Sequence, residues 1–120
     1  MKRNKIQQLL IIFILGFSLQ GVAQSISDTS LVVNGVCGMC KNTIETAVNQ
    51  LDGIKKAEWS VETKVLKLRY DSEKLVLTDV NKAVNEAGYD TEYSTGDEEA
   101  YQNLNPCCHY RDPKVVKDHQ

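Results

Sequence analysis

Four cysteines are the residues with the clearest potential for chemistry, and they fall in two pairs. Cys37 and Cys40 are separated by two residues, whereas Cys107 and Cys108 are adjacent. Two thiols at the C-x-x-C spacing can reach one ion, and sulfur is the ligand that soft ions such as Cu(I), Zn(II) and Hg(II) prefer. The first pair therefore predicts a site for one soft metal ion with Cys37 and Cys40 as ligands, and we favour Cu(I) over Zn(II) or Hg(II).

The position of the first pair strengthens this prediction. An apolar strand over residues 31–33 precedes it and ends before Gly35, and apolar residues at helical spacing follow it from Ile44 to Leu51. The pair therefore lies at the start of a helix, where free backbone N–H groups and the helix dipole stabilise thiolates. Two thiolates form an open site that leaves room for a partner's thiolate. Such a site can pass its ion by ligand exchange, whereas a four-thiolate structural zinc site is closed.

The second pair belongs to a segment without hydrophobic periodicity, residues 94–120, which we predict to be a flexible tail. Such a tail can bring Cys107, Cys108 and His109 to the first pair as additional metal ligands. The alternative is that these two thiols form a disulfide or act as a redox tether. Met39 is either a weak third ligand or a surface or packing residue, and His119 is expected to be solvated.

The elements around the first pair predict an α+β fold. Alternating apolar residues over 57–61 and 66–70 indicate a hairpin, apolar residues at helical spacing from 77 to 87 indicate a second helix, and a short strand is expected over 89–93. The order β-α-β-β-α-β indicates a ferredoxin-like sandwich, with a four-stranded antiparallel sheet and two helices on one face. We place this domain at residues 30–93.

The N-terminus resembles a targeting segment. Lys2, Arg3 and Lys5 precede an apolar run, and Gly21 and Ala23 have the spacing that a signal peptidase reads. We predict a cleaved signal peptide over residues 1–23, an extension over 24–29 and a periplasmic or secreted protein without stable membrane insertion. An uncleaved anchor is the alternative.

Charge excludes one class of function. The chain has 14 basic and 16 acidic residues, and three of the basic ones but none of the acidic ones lie in residues 1–23. Cleavage thus leaves 11 basic and 16 acidic residues, a net charge of −5. Because nucleic-acid binding depends on neutralising phosphates, we expect no nucleic-acid partner.

The segment Gly35-Val36-Cys37-Gly38-Met39-Cys40, with Gly88-Tyr89 after the second helix, resembles the heavy-metal-associated domain family over about residues 30–93. That family includes copper chaperones, metal-binding domains of P-type ATPases and periplasmic mercury-binding proteins. The resemblance implies that Cys37 and Cys40 are the ligands, that Tyr89 packs near them, and that the partner is a metal donor or acceptor such as a membrane metal transporter.

The chain departs from the family pattern before the first cysteine. The family usually has Met-Thr where this chain has Gly35 and Val36. That methionine normally fills the core beneath the metal-binding loop. Its absence predicts a looser loop or filling from another residue, and it leaves the metal preference open.

Two other functions compete with a metal carrier. A C-x-x-C pair in an exported protein also suits a thiol/disulfide redox protein, but both prolines, Pro106 and Pro113, lie in the tail rather than opposite the cysteines. A metal-free interaction module is the second alternative. We predict a protein that is not an enzyme, because neither a phosphate-binding loop nor a Ser/His/Asp arrangement is evident.

Overall fold

The computed structural model describes residues 25–120, so the predicted signal peptide lies outside the described residues. Three strands and four helices form in this part, together with one turn of 3₁₀ helix. The strands are β1 (Ile26–Val32), β2 (Ile54–Trp59) and β3 (Val65–Asp71), the helices are α1 (Gly38–Asn49), α2 (Leu77–Glu86), α3 (Glu98–Gln102) and α4 (Pro113–Asp118), and the 3₁₀ turn is Pro106–Cys108. Among the described helices, none is both long enough and apolar enough to cross a membrane.

The three strands form one antiparallel sheet in the order β1-β3-β2. β1 begins at Ile26, ahead of the predicted domain start at residue 30, so most of the predicted extension is part of the sheet. Its first residues are polar; Asp28, for example, pairs with Arg69 on β3 at 2.9 Å. Hydrophobic alternation could not reveal this end of the strand, because ion pairing and backbone hydrogen bonds hold it in place.

The predicted fourth strand over residues 89–93 is reduced to a single bridge between Val33 and Thr91 in the described part of the chain. The backbone N–H of Glu92 donates to Val32 O at 3.1 Å, but the N–H of Thr91 donates to Ser94 O at 2.8 Å. The second hydrogen bond turns the chain back on itself. The segment therefore leaves the sheet edge before a full ladder can form.

Both predicted long helices are present, and their apolar stripes form the core with the sheet. α1 buries Cys40, Ile44 and Val48, which recur every fourth residue, and α2 buries Val80 and Val84. α1 contacts both β2 and α2. The first turn of α1 is therefore fixed by the hydrophobic core on which the helix lies.

Trp59 fills the space beneath the loop that carries the first cysteine pair. Its side chain is fully buried, and its Nε1–H donates to Val33 O at 3.0 Å and lies 3.2 Å from Lys64 O. A Cβ on Gly35 would lie 2.9 Å from the Trp59 ring and 3.2 Å from Cys40 Cβ. Trp59 thus supplies the filling that the missing methionine would otherwise give, and Gly35 is the residue that makes room for it.

This packing makes Gly35→Ala a destabilising substitution. The new methyl group would overlap a ring that two backbone carbonyls hold in place, so we expect a loss of about 1–3 kcal/mol in the free energy of unfolding, measured by urea denaturation. Gly38→Ala is the matched control, because a Cβ at Gly38 meets nothing within 4 Å. Gly38 opens α1, so alanine there should be neutral or stabilising. Equal effects of the two substitutions would contradict this account of the loop.

Candidate metal centre

Three thiols converge at the start of α1. Cys37 Sγ lies 3.5 Å from Cys40 Sγ and 3.7 Å from Cys108 Sγ. All three sulfur atoms lie within 4.8 Å of one another. All four cysteines of the chain are free thiols in the structure. The structure thus joins the C-x-x-C pair to one cysteine of the distant second pair.

Each thiol of this trio is positioned by a different part of the backbone. Cys37 is the residue before α1, in an extended conformation, and Cys40 lies in the first helical turn with its side chain fully buried. Cys108 ends the 3₁₀ turn and is also buried, at 2% exposure. Cys37 is half-buried, so the trio is reached from the outside past Cys37.

The segment that carries Cys108 packs against the domain, in contrast to the flexible tail predicted for residues 94–120. Tyr101 and Tyr110 are buried in the common core with Cys108. The Tyr110 hydroxyl donates to Gly88 O at 2.8 Å and accepts from the Asp90 N–H at 2.8 Å. These contacts fix the segment on the loop that follows α2, within reach of the first cysteine pair.

Arg111 adds a charged anchor to the same segment. Its guanidinium donates to Asp90 at 2.7 Å and to Glu98 at 2.7 Å, and it lies over the Tyr101 ring at 4.1 Å from the centroid. Burial works against ionisation of Asp90, but the guanidinium and the Gly96 N–H outweigh it and hold the pKa of this carboxyl below its ordinary value. Because a lowered carboxyl pKa stabilises the folded state only while the group is ionised, this contribution is lost as the pH falls below about 4.

The surroundings of the Cys37 thiol lower its pKa. Burial raises its pKa, but the backbone N–H groups of Cys40 and Met39 and the thiols of Cys40 and Cys108 outweigh burial and lower the pKa to about 7, from an ordinary value of 9.0. Burial and the neighbouring thiols raise the pKa of Cys108 instead. Cys37 is therefore partly ionised at neutral pH, whereas Cys108 is protonated in the metal-free protein.

These shifts predict selective alkylation of the metal-free, reduced protein. Because the Cys37 pKa is lowered, its thiolate fraction rises through about pH 7, so its reaction with iodoacetamide should reach half its maximal rate near that pH. Cys108 should remain unmodified under the same conditions, because it is buried and protonated. Peptide mass spectrometry after timed labelling identifies the site. A midpoint near pH 9 for Cys37, or faster labelling of Cys108, would contradict the prediction.

Tyr89 lies beside the trio, near the Cys40 and Cys108 thiols. Its ring is fully buried and stacks on Tyr110 at a centroid distance of 5.5 Å. Its hydroxyl has no hydrogen-bond partner among the described residues, and burial together with the nearby Cys40 and Cys108 thiols raises its pKa. The Tyr89 hydroxyl can therefore donate a hydrogen bond to Cys40 or Cys108 Sγ when these sulfur atoms bind an ion as thiolates.

The remaining candidate residues lie outside the trio. Cys107 Sγ is 4.0 Å from Cys108 Sγ and 3.3 Å from Met39 Sδ, at the rim of the site. His109 Nε2 lies 3.0 Å from Leu104 O, and its ring packs against Tyr101, so the structure does not bring it to the thiols. His119 is exposed, as predicted, and its Nδ1 lies 2.9 Å from Val115 O.

The trio has the dimensions that a soft ion requires. Three sulfur atoms that each lie about 2.3 Å from a central ion are about 4.0 Å from one another. The observed separations of 3.5 and 3.7 Å need to widen by only a few tenths of an ångström to reach that value. The described residues thus offer three converging thiols to such a centre, with the Cys107 thiol at its rim.

Sequence reasoning missed the residues that hold Cys108 in place. Tyr101, Tyr110 and Arg111 lie in the segment without hydrophobic periodicity. The one available sign of packing was a tyrosine on each side of the Cys-Cys pair, Tyr101 before it and Tyr110 after it. The tyrosines pack through their rings, and Tyr110 and Arg111 add hydrogen bonds to Gly88, Asp90 and Glu98. Such contacts leave no repeating pattern in the sequence.

Known proteins match this chain over about half of its length. The family model "Heavy-metal-associated domain" matches residues 31–90, which is half of the 120 residues. The copper chaperone CopZ of Staphylococcus aureus is 35% identical over 65 residues, which cover 53% of this chain and 96% of the chaperone. The family match ends before Cys107 and Cys108, so the third thiol of the trio comes from outside the matched domain.

Solved structures give the same result. A structure of a CopZ metallochaperone superposes with a TM-score of 0.53 at 33% identity, covering 54% of this chain and 98% of its own. The oxidised MerP of Ralstonia metallidurans CH34 superposes with a TM-score of 0.53 at 26% identity, covering 56% of this chain and 94% of its own. The expectation of a protein that is not an enzyme is confirmed by the family match and the chaperone relatives. Through residues 31–90, this chain belongs to the heavy-metal-associated domain family.

Proposed function

We propose that this chain is an exported carrier of one soft metal ion, which it holds with Cys37, Cys40 and Cys108 and passes on by thiolate ligand exchange. The observation that carries the proposal is the convergence of three sulfur atoms within 4.8 Å of one another. Buried free thiols are otherwise inert, and nothing in core packing requires three of them to meet. Export is supported by the residues at 1–23, through their basic start and apolar run.

Cu(I) is the cargo that this site suits best. Thiolates select Cu(I), and a three-sulfur centre satisfies it, whereas structural zinc takes four ligands. His109, the nitrogen ligand that could complete a zinc site, lies against Leu104 O instead. Hg(II) also accepts two or three sulfur ligands, so it is the first competitor to test.

The partner is a protein that supplies thiolates of its own. The ion is loaded from, or delivered to, a metal donor or acceptor such as a membrane metal transporter. During delivery a partner sulfur bonds to the ion as a carrier sulfur leaves, so no free ion is released and no electron is transferred. Cys37 is the natural contact point, because it is the least buried thiol of the trio.

The proposal is tested by anaerobic titration of the reduced protein with Cu(I) against a competing chelator, with Zn(II) and Hg(II) in parallel. We expect one tightly bound Cu(I) per chain and no tight binding by Cys37→Ser/Cys40→Ser. Cys107→Ser is the matched control, since it removes a thiol outside the trio and should retain the tight ion. Failure of all three metals to bind tightly would instead favour the thiol/disulfide or the metal-free interaction function.

Export is tested separately. Expression of the full chain in a bacterium with a periplasm, followed by intact-mass measurement of the periplasmic fraction, should give a protein that begins at Gln24. A full-length protein confined to the membrane fraction would support the uncleaved anchor instead.

A further inference from the structure

Two more sulfur atoms lie at the rim of the trio and are left unused by the proposed carrier site. Met39 Sδ and Cys107 Sγ are 3.3 Å apart. The Met39 side chain is 49% exposed on the first turn of α1, and Cys107 is half-buried. The Asn105 side chain lies nearby, with its Nδ2 4.0 Å from Met39 Sδ. An exposed methionine whose close contacts are a thiol and an amide is not explained by core packing.

The chemistry of this pair matches the cargo. Thioether and thiolate are both ligands that select Cu(I), and two sulfur atoms that share one ion can lie up to about 4.6 Å apart. The pair has room to open to that distance, because both side chains reach the surface. Two ligands, one of them an uncharged thioether, should hold an ion more weakly than the three thiols beneath.

The Met39–Cys107 pair also lies directly beside the trio. Cys107 Sγ lies 4.0 Å from Cys108 Sγ, and Cys37 Sγ lies 3.7 Å from Cys107 O. The backbone of Cys107 therefore covers the trio, while its side chain points to the rim. An ion held between Met39 and Cys107 would already be within one ligand exchange of Cys108.

We propose that Met39 and Cys107 form a second, weaker soft-metal site that loads the trio; this inference rests on the proposed function. The ion binds first to Met39 Sδ and Cys107 Sγ, and the Cys107 thiol proton passes to solvent. Cys108 Sγ then bonds to the ion as Met39 Sδ leaves, and the Cys108 proton passes to solvent. Cys37 and Cys40 bond to the ion and release any remaining thiol protons to solvent, while Cys107 leaves and takes up a proton from solvent. The charge of the ion does not change, so no oxidant or reductant is required.

Met39 supplies its own reporter for the test. The full chain has two methionines, Met1 and Met39, and the proposed mature chain from Gln24 keeps Met39 alone. The reduced mature chain, labelled with ¹³C-methyl methionine, is titrated with Ag(I), a redox-inert soft ion of the same charge as Cu(I). We expect the single Met39 methyl signal to shift as a second, weaker equivalent binds. Met39→Leu and Cys107→Ser should each lose that second equivalent, whereas Asn105→Ala, which removes only the neighbouring amide, should keep it.

A kinetic measurement completes the test. In stopped-flow mixing with Cu(I) bound to a chelator, Met39→Leu should load the trio several-fold more slowly and keep the same affinity at equilibrium. A Met39 signal that stays unchanged through two equivalents, or a second equivalent retained by both variants, would overturn the loading site. These readouts differ from that of Cys37→Ser/Cys40→Ser, which removes the first equivalent and tests the carrier function itself.

Discussion

Replacing Cys108 with serine is expected to lower the Cu(I) affinity of the chain by at least about tenfold. Mutation of residues that only support metal ligands costs about 10–100-fold in affinity, and in the proposed site Cys108, 3.7 Å from Cys37 Sγ, is a ligand itself. A serine hydroxyl has nearly the same size but is a poor ligand for a soft ion. Competition with a Cu(I) chelator, at fixed pH and without oxygen, measures the change.

The adjacent cysteine provides the control for this substitution. Cys107→Ser removes the same group one residue away, from the rim rather than from the trio, and should leave the tight affinity unchanged. Thermal unfolding of the metal-free variants checks that Cys108→Ser is still folded, since it places a hydroxyl where a buried thiol was. Equal affinities for the wild type and folded Cys108→Ser would show a two-ligand centre of the kind first predicted from Cys37 and Cys40 alone.

Truncation after Thr95 is expected to cost both stability and affinity. It removes the buried side chains of Tyr101 and Tyr110, each of which contributes about 1.5–3 kcal/mol through burial. We therefore expect the free energy of unfolding to fall by about 3–6 kcal/mol in urea denaturation. Cu(I) affinity should fall at least as far as in Cys108→Ser, because the same thiol is absent.

A shorter truncation tests whether the loss of stability comes from the buried tyrosines rather than from removal of the C-terminal residues in general. Ending the chain after Asp112 removes α4, which contains no buried residue, and keeps Tyr110 and Arg111. This variant should retain nearly all the stability and all the tight Cu(I) affinity. If the two truncations have the same effect, α4 rather than the two tyrosines holds the segment, and the anchoring described for Tyr110 is wrong.

The sequence predicted those parts of the fold that repeat. Ile44 and Val48 on α1, and Val80 and Val84 on α2, recur at the helical spacing because each packs one turn from the next on the same core. The fourth strand was not predictable to the same extent. Its residues alternate like a strand, but the hydrogen bond from Thr91 N–H to Ser94 O competes with the ladder, and alternation contains no information on that competition.

The sequence predicted the part of the site whose residues are close together in the chain. Cys37 and Cys40 lie one helical turn apart, so their 3.5 Å approach follows from spacing and from the start of the helix. Cys108 comes from 68 residues beyond Cys40, and its place in the trio depends on tertiary contacts of Tyr110 and Arg111. The sequence could only offer it as one of several alternatives, together with His109, which the structure places elsewhere.

The methionine that the family pattern has before the first cysteine, and this chain lacks, gives another example of a tertiary contact that the sequence could not predict. Its absence predicted either a looser loop or filling from another residue. The sequence could not choose between them, because Trp59 follows Gly35 only after a helix and most of a strand. In the structure the Trp59 ring packs against Gly35 and its Nε1–H donates to Val33 O. The space beneath the loop is therefore filled by another residue.

In the proposed carrier, the docking of Cys108 also determines which acceptors can take the ion. A ligand on the same chain has an effective concentration in the millimolar range even when its tether is flexible, and Tyr110 and Arg111 restrict this tether further. A free thiol at micromolar concentration would therefore lose the competition with Cys108 for the ion. Only an acceptor that docks beside Cys37, and so presents its own thiolates at a comparable local concentration, can remove the cargo. In the proposed carrier, the third thiol thus makes release conditional on docking.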